Sequence, residues 1–319
     1  MSNVPSISSP SPSPSTSPLP LRGKTALVTG VSRRRGIGFA VASHLASLGA
    51  DVFFHHYSPH DAGQPWGSDD LASVRAALRE AAAPETQLGD LSFDLGLPDA
   101  PARLIEAATS LTGRLDIVVC NQARSGADGS IFDMTAEKLD GHWQVNARAT
   151  LLLTAEFARR ALDRDAQPSD PSSPQTAAAT PTAPAQPGQR LHRTGPADER
   201  SGRRVFWMTS GQHQDSMPGE VAYAGSKSVL AGLTRTVAKE LLDADIVLNT
   251  INPGPVNTGY LDPETTDRSV EQTAAMLGET PFGRFGEPED VARLIAWLST
   301  DAGRWVVGRV LVSDGGFSL

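Results

Sequence analysis

The stretch Lys24-Thr-Ala-Leu-Val-Thr-Gly30-Val-Ser-Arg-Arg-Arg-Gly36-Ile-Gly38-Phe-Ala-Val-Ala-Ser-His-Leu45-Ala-Ser-Leu-Gly49 decides the fold. Its first six residues make a short apolar strand. Gly30 and an interrupted loop follow, and Gly36-Ile37-Gly38 opens a helix with apolar residues at Phe39, Val41, Ala42, Leu45 and Leu48 before Gly49 ends it. Strand, glycine loop and helix in this order describe a dinucleotide site. The glycines let backbone approach a pyrophosphate, and the helix N-terminus presents free N–H groups and a positive dipole end to it. A glycine pattern by itself is weak, but it gains weight by standing directly after the first strand. Gly30, Ser32, Arg33, Arg35, Gly36, Ile37 and Gly38 are the cofactor contacts expected here.

Asp51-Val-Phe-Phe-His-His-Tyr57 reads as the second strand. An NAD site usually places an acid near the end of this strand to bind the ribose 2'-hydroxyl. Here the end is His55, His56, Tyr57, Ser58, and Asp51 stands at the beginning, out of reach. Arg33, Arg34 and Arg35 crowd the glycine loop instead, and a guanidinium suits a 2'-phosphate. NADP(H) is therefore preferred, NAD(H) remains possible, and Tyr57 and Ser58 join the cofactor contacts. At least one of the arginines is expected to be merely solvated.

Farther along, a helix is predicted from about Asp69 to Ala83, then a strand ending in Phe93-Asp94-Leu95, then a helix from about Asp99 to Thr112. Asp94 and Leu95 are placed to meet an adenine, with a capping role in the following turn the alternative for Asp94. Leu115 to Cys120 is a fourth strand, ending in Asn121-Gln122-Ala123. Leu139 to Arg160 is a long helix carrying Asn146 among apolar residues; such an amide satisfies a backbone group and can also hold a water. Val205 to Met208 and Ile246 to Ile251 are further strands, and the latter leads into Pro253-Gly254-Pro255-Val256-Asn257-Thr258. Strands alternating with helices imply an α/β chain with one doubly wound parallel sheet, helices on both faces and ligands over the strands' C-terminal ends. The candidate residues fall at such ends or on the helices that follow.

The chemistry concentrates between Ser210 and Lys227. Tyr223 and Lys227 stand four apart at the start of an apolar-periodic run, so on a helix they share a face. A nearby ammonium favours a phenolate, which lets a tyrosine work as general acid or base. Ser210 follows the Val205 strand, where a hydroxyl can hold a carbonyl oxygen while the tyrosine protonates it. Taken alone, Tyr-x-x-x-Lys is usually an amphipathic tyrosine beside a solvated lysine. The strands around it supply the context.

Composition narrows the partners. The chain has 319 residues and a formal charge of −8, which disfavours a nucleic-acid partner. No apolar run reaches the roughly 18 to 20 residues that span a bilayer, so no membrane partner is expected. Cys120 is the single cysteine, which fits a reducing, cytoplasmic setting. No metal site is expected. Residues 1–20 alternate Ser and Pro and read as a disordered tail rather than a secretory signal. A second Pro/Ala-rich stretch, about 165–203, contains Pro168, Pro171, Pro174, Pro181, Pro184 and Pro187 and reads as a surface insertion within a single domain spanning 21–319.

From Leu21 to Leu319, the insertion apart, these motifs resemble the short-chain dehydrogenase/reductases. The resemblance implies a single-domain Rossmann fold and a catalytic tetrad of Asn146, Ser210, Tyr223 and Lys227. In it Ser210 polarises a carbonyl, Tyr223 passes the proton, Lys227 binds the nicotinamide ribose and lowers the tyrosine pKa, and Asn146 holds a relay water. It implies further that Pro253, Gly254, Val256 and Thr258 fix the nicotinamide carboxamide and that Asn121 borders the cofactor. The final strand before Gly316 resembles one that often lies in a tetramer interface, implying a homo-oligomer, a tetramer or a dimer. The pattern looks most like the 3-oxoacyl-carrier-protein reductase branch, with a small-molecule carbonyl or alcohol as substrate and a lid at Gly259 to Pro281. Two departures stand out: five residues, Val31 to Arg35, separate Gly30 from Gly36 where the family has three, and Gln122 replaces an asparagine, which places it beside the nicotinamide as an altered pocket floor. The alternatives are an enoyl reductase, whose tyrosine and lysine are usually separated by six residues rather than three, and a non-catalytic NADP(H)-binding sensor or scaffold.

Overall fold

In the sheet, alternation decides which way each side chain faces. In β1 (Thr25–Val28), Ala26 and Val28 join one apolar cluster and Leu27 joins another. In β5 (Arg203–Met208), Val205 and Trp207 take the second cluster while Phe206 and Met208 take the first. A strand buried on both faces needs helices on both sides, and right-handed crossovers supply them. The structure is a computed structural model that describes residues 19–166, 202–213, 216–266 and 269–319.

Seven parallel strands form one sheet in the order β3-β2-β1-β4-β5-β6-β7. The remaining strands are β2 (Asp51–His56), β3 (Leu88–Ser92), β4 (Ile117–Cys120), β6 (Ile246–Asn252) and β7 (Val310–Val312). On one face lie α1 (Ile37–Ser47), α3 (Leu71–Ala81) and α9 (Pro288–Ser299), through Val41, Leu45, Val74, Leu78, Val291 and Ile295. On the other lie α4 (Ala100–Ser110), α6 (Ala149–Ala166) and α7 (Val221–Leu241), through Leu104, Leu153 and Leu230. Chain order reverses between β1 and β4, and a crevice opens above their C-terminal ends. Ligands bind at such a switch point in open α/β sheets.

Three elements depart from the sequence reading. The long helix over 139–160 is two helices, α5 (Ala136–His142) and α6, joined by a π-helical turn at Trp143–Arg148, where the Ala149 N–H reaches back to Gln144 O. A short helix, α2 (Ser58–Ala62), follows β2 directly. The expected lid contains α8 (Val270–Gly278), and its residues 267 and 268 lie outside the described ones. The terminal tail lies outside them too, apart from Leu19 and Pro20, as does the insertion between 167 and 201. Its two edges belong to regular elements: Asp165 stands in the last turn of α6, Arg203 begins β5, and their side chains form a two-pronged ion pair at 2.8 and 2.9 Å. Among the described residues no helix is long and apolar enough to cross a membrane.

Candidate active site

The glycine loop is built by exclusion. Gly30 has φ +73°, and a Cβ there would stand 2.9 Å from the Asn121 amide nitrogen. A Cβ on Gly38 would meet Gly30 O at 2.5 Å, so α1 can start this close to the loop only with glycine at both positions. Asn121 then ties the end of β4 to that of β1, its Nδ2 donating to Thr29 O at 3.0 Å and Gly30 O at 3.3 Å. His55 supports the loop from β2. Its ring stands 3.4 Å from the Gly30 N–H through Nδ1 and 2.9 Å from Phe93 O through Nε2, so Nε2 carries the proton. Burial holds this imidazole neutral, pushing its pKa down to about 4.

Gln122 does not form the floor of the pocket. Its Oε1 accepts from Thr29 Oγ1 at 2.5 Å, and its Nε2 donates to Val145 O at 3.2 Å and Thr150 Oγ1 at 2.9 Å. The longer side chain bridges β1 to the π turn and α6, beneath the site.

Above Gln122 lies a cavity of about 590 Å³. Gly30, Ser32, Arg33, Gly36 and Ile37 line one end, Asn121 its middle, and Ser210, Tyr223, Lys227, Pro253, Gly254 and Val256 the other, with Thr258 beside Arg33. The remaining expected contacts stand outside its walls. Arg35 is drawn to the surface by a bidentate pair with Asp262, at 2.6 and 3.2 Å. Arg34 is held by Asp69. Arg33 alone faces inward, and it is engaged: Nη1 donates to Thr258 O at 2.7 Å, Nε lies 3.4 Å from Asp61, and the guanidinium sits 5.5 Å over the Trp66 ring. Gly38 is buried in the first turn of α1, and Tyr57 gives its N–H to Ser32 Oγ at 3.2 Å, with Ser58 opening α2. Asp94 takes the capping alternative, accepting from Gly96 N at 2.7 Å, and Leu95 is buried in the core.

Sequence reasoning missed the strap 58–66. His60, Asp61, Gln64 and Trp66 all line the cavity. On one side His60 Nε2 lies 3.4 Å from Ser125 Oγ, and on the other Trp66 meets the Tyr260 ring edge-on at 6.5 Å. Ser58-Pro59 followed by Asp61 is a helix-start pattern that could have revealed α2.

At the far end, α7 carries Tyr223 and Lys227 on one face, as their spacing requires. The Lys227 ammonium is buried, 5.7 Å from the Tyr223 ring centroid, and donates to Met208 O at 2.9 Å. Burial pushes its pKa down to about 8. Tyr223 differs from the sequence reading. Burial raises its pKa, opposed by a hydrogen bond with Ser210, and no lowering by the lysine prevails. The phenol is therefore kept protonated, with a hydroxyl partner beside it, and can donate a proton to an oxygen that gains charge. Asn146 lies behind this corner. Its Oδ1 accepts from Arg124 N at 2.6 Å, and its Nδ2 donates to Arg124 O at 3.1 Å and Ser226 Oγ at 3.0 Å. Both amide protons are spent on protein, so the side chain has none to give a relay water.

A dinucleotide fits this cradle, because the packing that admits only glycine at Gly30 and Gly38 brings the N-terminus of α1 against the loop, Gly30 and Gly36 present bare backbone to the cavity, and proton-transfer groups line its opposite end. When bound, a nicotinamide supplies hydride chemistry. Switch-point crevice, glycine cradle and proton donor together define a nicotinamide-dependent oxidoreductase of the Rossmann class.

A family model described as "Enoyl-(Acyl carrier protein) reductase" matches residues 30–167 and 191–318. "Uncharacterized oxidoreductase YjdA" of Bacillus subtilis is 30% identical over 92% of this chain and 96% of its own length. An Arabidopsis thaliana protein named "NADPH-dependent aldehyde reductase-like protein, chloroplastic" is 31% identical over 99% of this chain and 100% of its own. Among solved structures, a short-chain type dehydrogenase/reductase from Mycobacterium ulcerans superposes with a TM-score of 0.73 at 26% identity, covering 94% of this chain and 91% of that one. The chain belongs to the short-chain dehydrogenase/reductase family and is an oxidoreductase.

Proposed function

We propose that this protein is an NADP(H)-dependent carbonyl reductase that converts a ketone or aldehyde to the alcohol, or runs the reverse. Tyr223 donates the proton, Ser210 holds the carbonyl oxygen, and Lys227 binds the nicotinamide ribose. Asn146 acts through the backbone it pins. One observation carries the reading: Tyr223, with Ser210 as its hydrogen-bond partner, stands beside a buried lysine in the wall of the glycine-lined cavity. Support for NADP(H) comes from a second strand that ends without an acid, in His55 and His56, and from Arg33 facing inward. The relative named as an NADPH-dependent aldehyde reductase-like protein supports the same choice and a carbonyl substrate, and relatives named versicolorin reductase support reduction as the reaction.

The enoyl reductase reading is favoured by the description of the matching family model, but three residues, rather than six, separate Tyr223 from Lys227. NADPH and NADH oxidation against ketones, aldehydes, a 3-oxoacyl thioester and an enoyl thioester tests both. Carbonyl turnover with NADPH is expected, with a loss of at least about a hundredfold in Tyr223→Phe. Turnover of the enoyl thioester alone would assign the second reading, and a preference for NADH would overturn the cofactor choice.

A homo-oligomer, dimer or tetramer, suits the exposure of Phe132 (95%) and Trp305 (92%), and light scattering on the purified chain tests it. The single buried Cys120 suits the cytoplasm as its setting.

A further inference from the structure

Helix α7 begins with an unusual debt. Its N-cap residue, Glu220, makes no side-chain capping bond, although the first N–H groups of any helix lack partners within it. They are taken by a segment more than ninety residues earlier in the chain. Val221 N donates to Gly129 O at 3.3 Å, Ala222 N to Asp128 Oδ1 at 2.9 Å, and Tyr223 N to Asp128 Oδ2 at 2.7 Å. The Asp128 side chain is only 8% exposed, and its Oδ1 also accepts from Gly129 N at 2.8 Å. A buried carboxylate in this place also complements the positive end of the helix.

His142, fully buried at the end of α5, supports the same segment and the same tyrosine. Its Nε2 lies 3.0 Å from Gly126 O, and its ring meets the Tyr223 ring edge-on, with centroids 6.2 Å apart and planes at 86°. Its Nε2 is 3.9 Å from Asp128 Oδ2, a neighbour rather than a bonded partner. Burial lowers the pKa of this imidazole, so it stands there neutral.

We propose that Asp128, backed by His142, is the positioning residue for Tyr223: the carboxylate fixes the backbone of the proton donor and the imidazole fixes the tilt of its ring. The inference rests on the reductase reading given above. Neither residue exchanges a proton with substrate, and both act through where the phenol stands. A displacement of the reacting group by about 1 Å can cost roughly a hundredfold in rate without touching ground-state binding.

Asp128→Asn is the informative change, because the amide keeps one acceptor but turns its NH2 donor toward a backbone N–H. With the best carbonyl substrate, kcat is expected to fall roughly ten- to hundredfold while the NADPH dissociation constant stays within about twofold. Asp133→Asn serves as control, since Asp133 caps Ser130 on the same connection without contacting α7. Its kcat should match wild type. His142→Leu removes the aromatic edge and the Gly126 bond without altering the cap, and should lower kcat by about threefold to tenfold at unchanged NADPH affinity. This second variant decides the matter if Asp128→Asn does not fold. Wild-type kcat in both variants, or a loss of NADPH affinity as large as the loss in kcat, overturns the proposal. A wild-type chain that reduces no carbonyl fails the reductase reading itself, a result distinct from an active wild type with unaltered variants.

Discussion

At the scale of single residues, the two partners on α7 pull stability and function apart. Lys227 is charged in a place that penalises charge, with its pKa pushed down to about 8 from 10.5 and Met208 O as its acceptor. At neutral pH the ammonium is charged in both folded and unfolded chains, and burial makes the folded one costlier. Between about 8 and 10.5 the folded lysine loses its proton while the unfolded one still binds it, so this group adds stability as pH rises through that window. Lys227→Met is therefore expected to abolish carbonyl reduction yet raise unfolding stability at pH 7 by about 2 kcal/mol, the desolvation relieved less the hydrogen bond lost. Denaturant unfolding of both proteins at pH 7, 8 and 10 checks this, and the gap should narrow toward the alkaline end. The chemistry of Tyr223 and Lys227 was legible in the sequence because residue type and a spacing of four already place them on one helix face. The direction of the Tyr223 shift was not, because it depends on how deeply the phenol is buried. Gln122 was misplaced for a similar reason: its position at a strand end was readable, but which side of that strand its side chain takes was not.

At the scale of elements, the arginine cluster shows what a loop sequence conceals. Three consecutive guanidiniums suggested a phosphate site, yet acids far along the chain claim two of them, Asp69 for Arg34 and Asp262 for Arg35. Such pairings depend on tertiary contact, which no local pattern reports. Arg33 stays at the cavity wall, partly neutralised by Asp61 of the strap. Asp61 also sets a negative charge at the end where the cofactor's phosphates are expected. Asp61→Asn should therefore release Arg33 and remove a repulsion together, tightening NADPH by about 1 kcal/mol, or about fivefold, with a smaller gain for NADH. Calorimetric titration with the two cofactors measures this, and an equal change for both would show that Arg33 does not meet the 2'-phosphate. The π turn before α6 stayed hidden because an extra residue in one turn barely disturbs an apolar pattern. The same turn places the Asn146 side chain on the Arg124 backbone, so the amide supports the loop that also carries Asp128.

At the scale of the whole molecule, the sheet was legible from the order of its elements, since strands alternating with helices leave few topologies once crossovers are right-handed. What sequence order could not supply is how the interruption between α6 and β5 is closed. The ion pair between Asp165 and Arg203 brings the last turn of one element against the first residue of the other, so the fold does not depend on the intervening chain to hold them together. The family model's match breaks over the same region, ending at 167 and resuming at 191. Replacing residues 167–201 with a short Gly/Ser linker should leave the sheet, the cavity and the α7 corner untouched. Carbonyl turnover and NADPH affinity are expected within about twofold of the full chain. Loop-closure entropy favours the shortened connection by about 1.5 kcal/mol for a roughly sixfold reduction in length, so the unfolding midpoint should rise rather than fall. A shortened protein that folds but loses turnover would assign the interruption a part in the reaction, because the active-site contacts among the described residues lie outside it. Asp165→Ala in the full-length chain supplies the complementary measurement: it leaves Arg203, which is buried, short of its acceptor and should cost stability whether or not the connection is long.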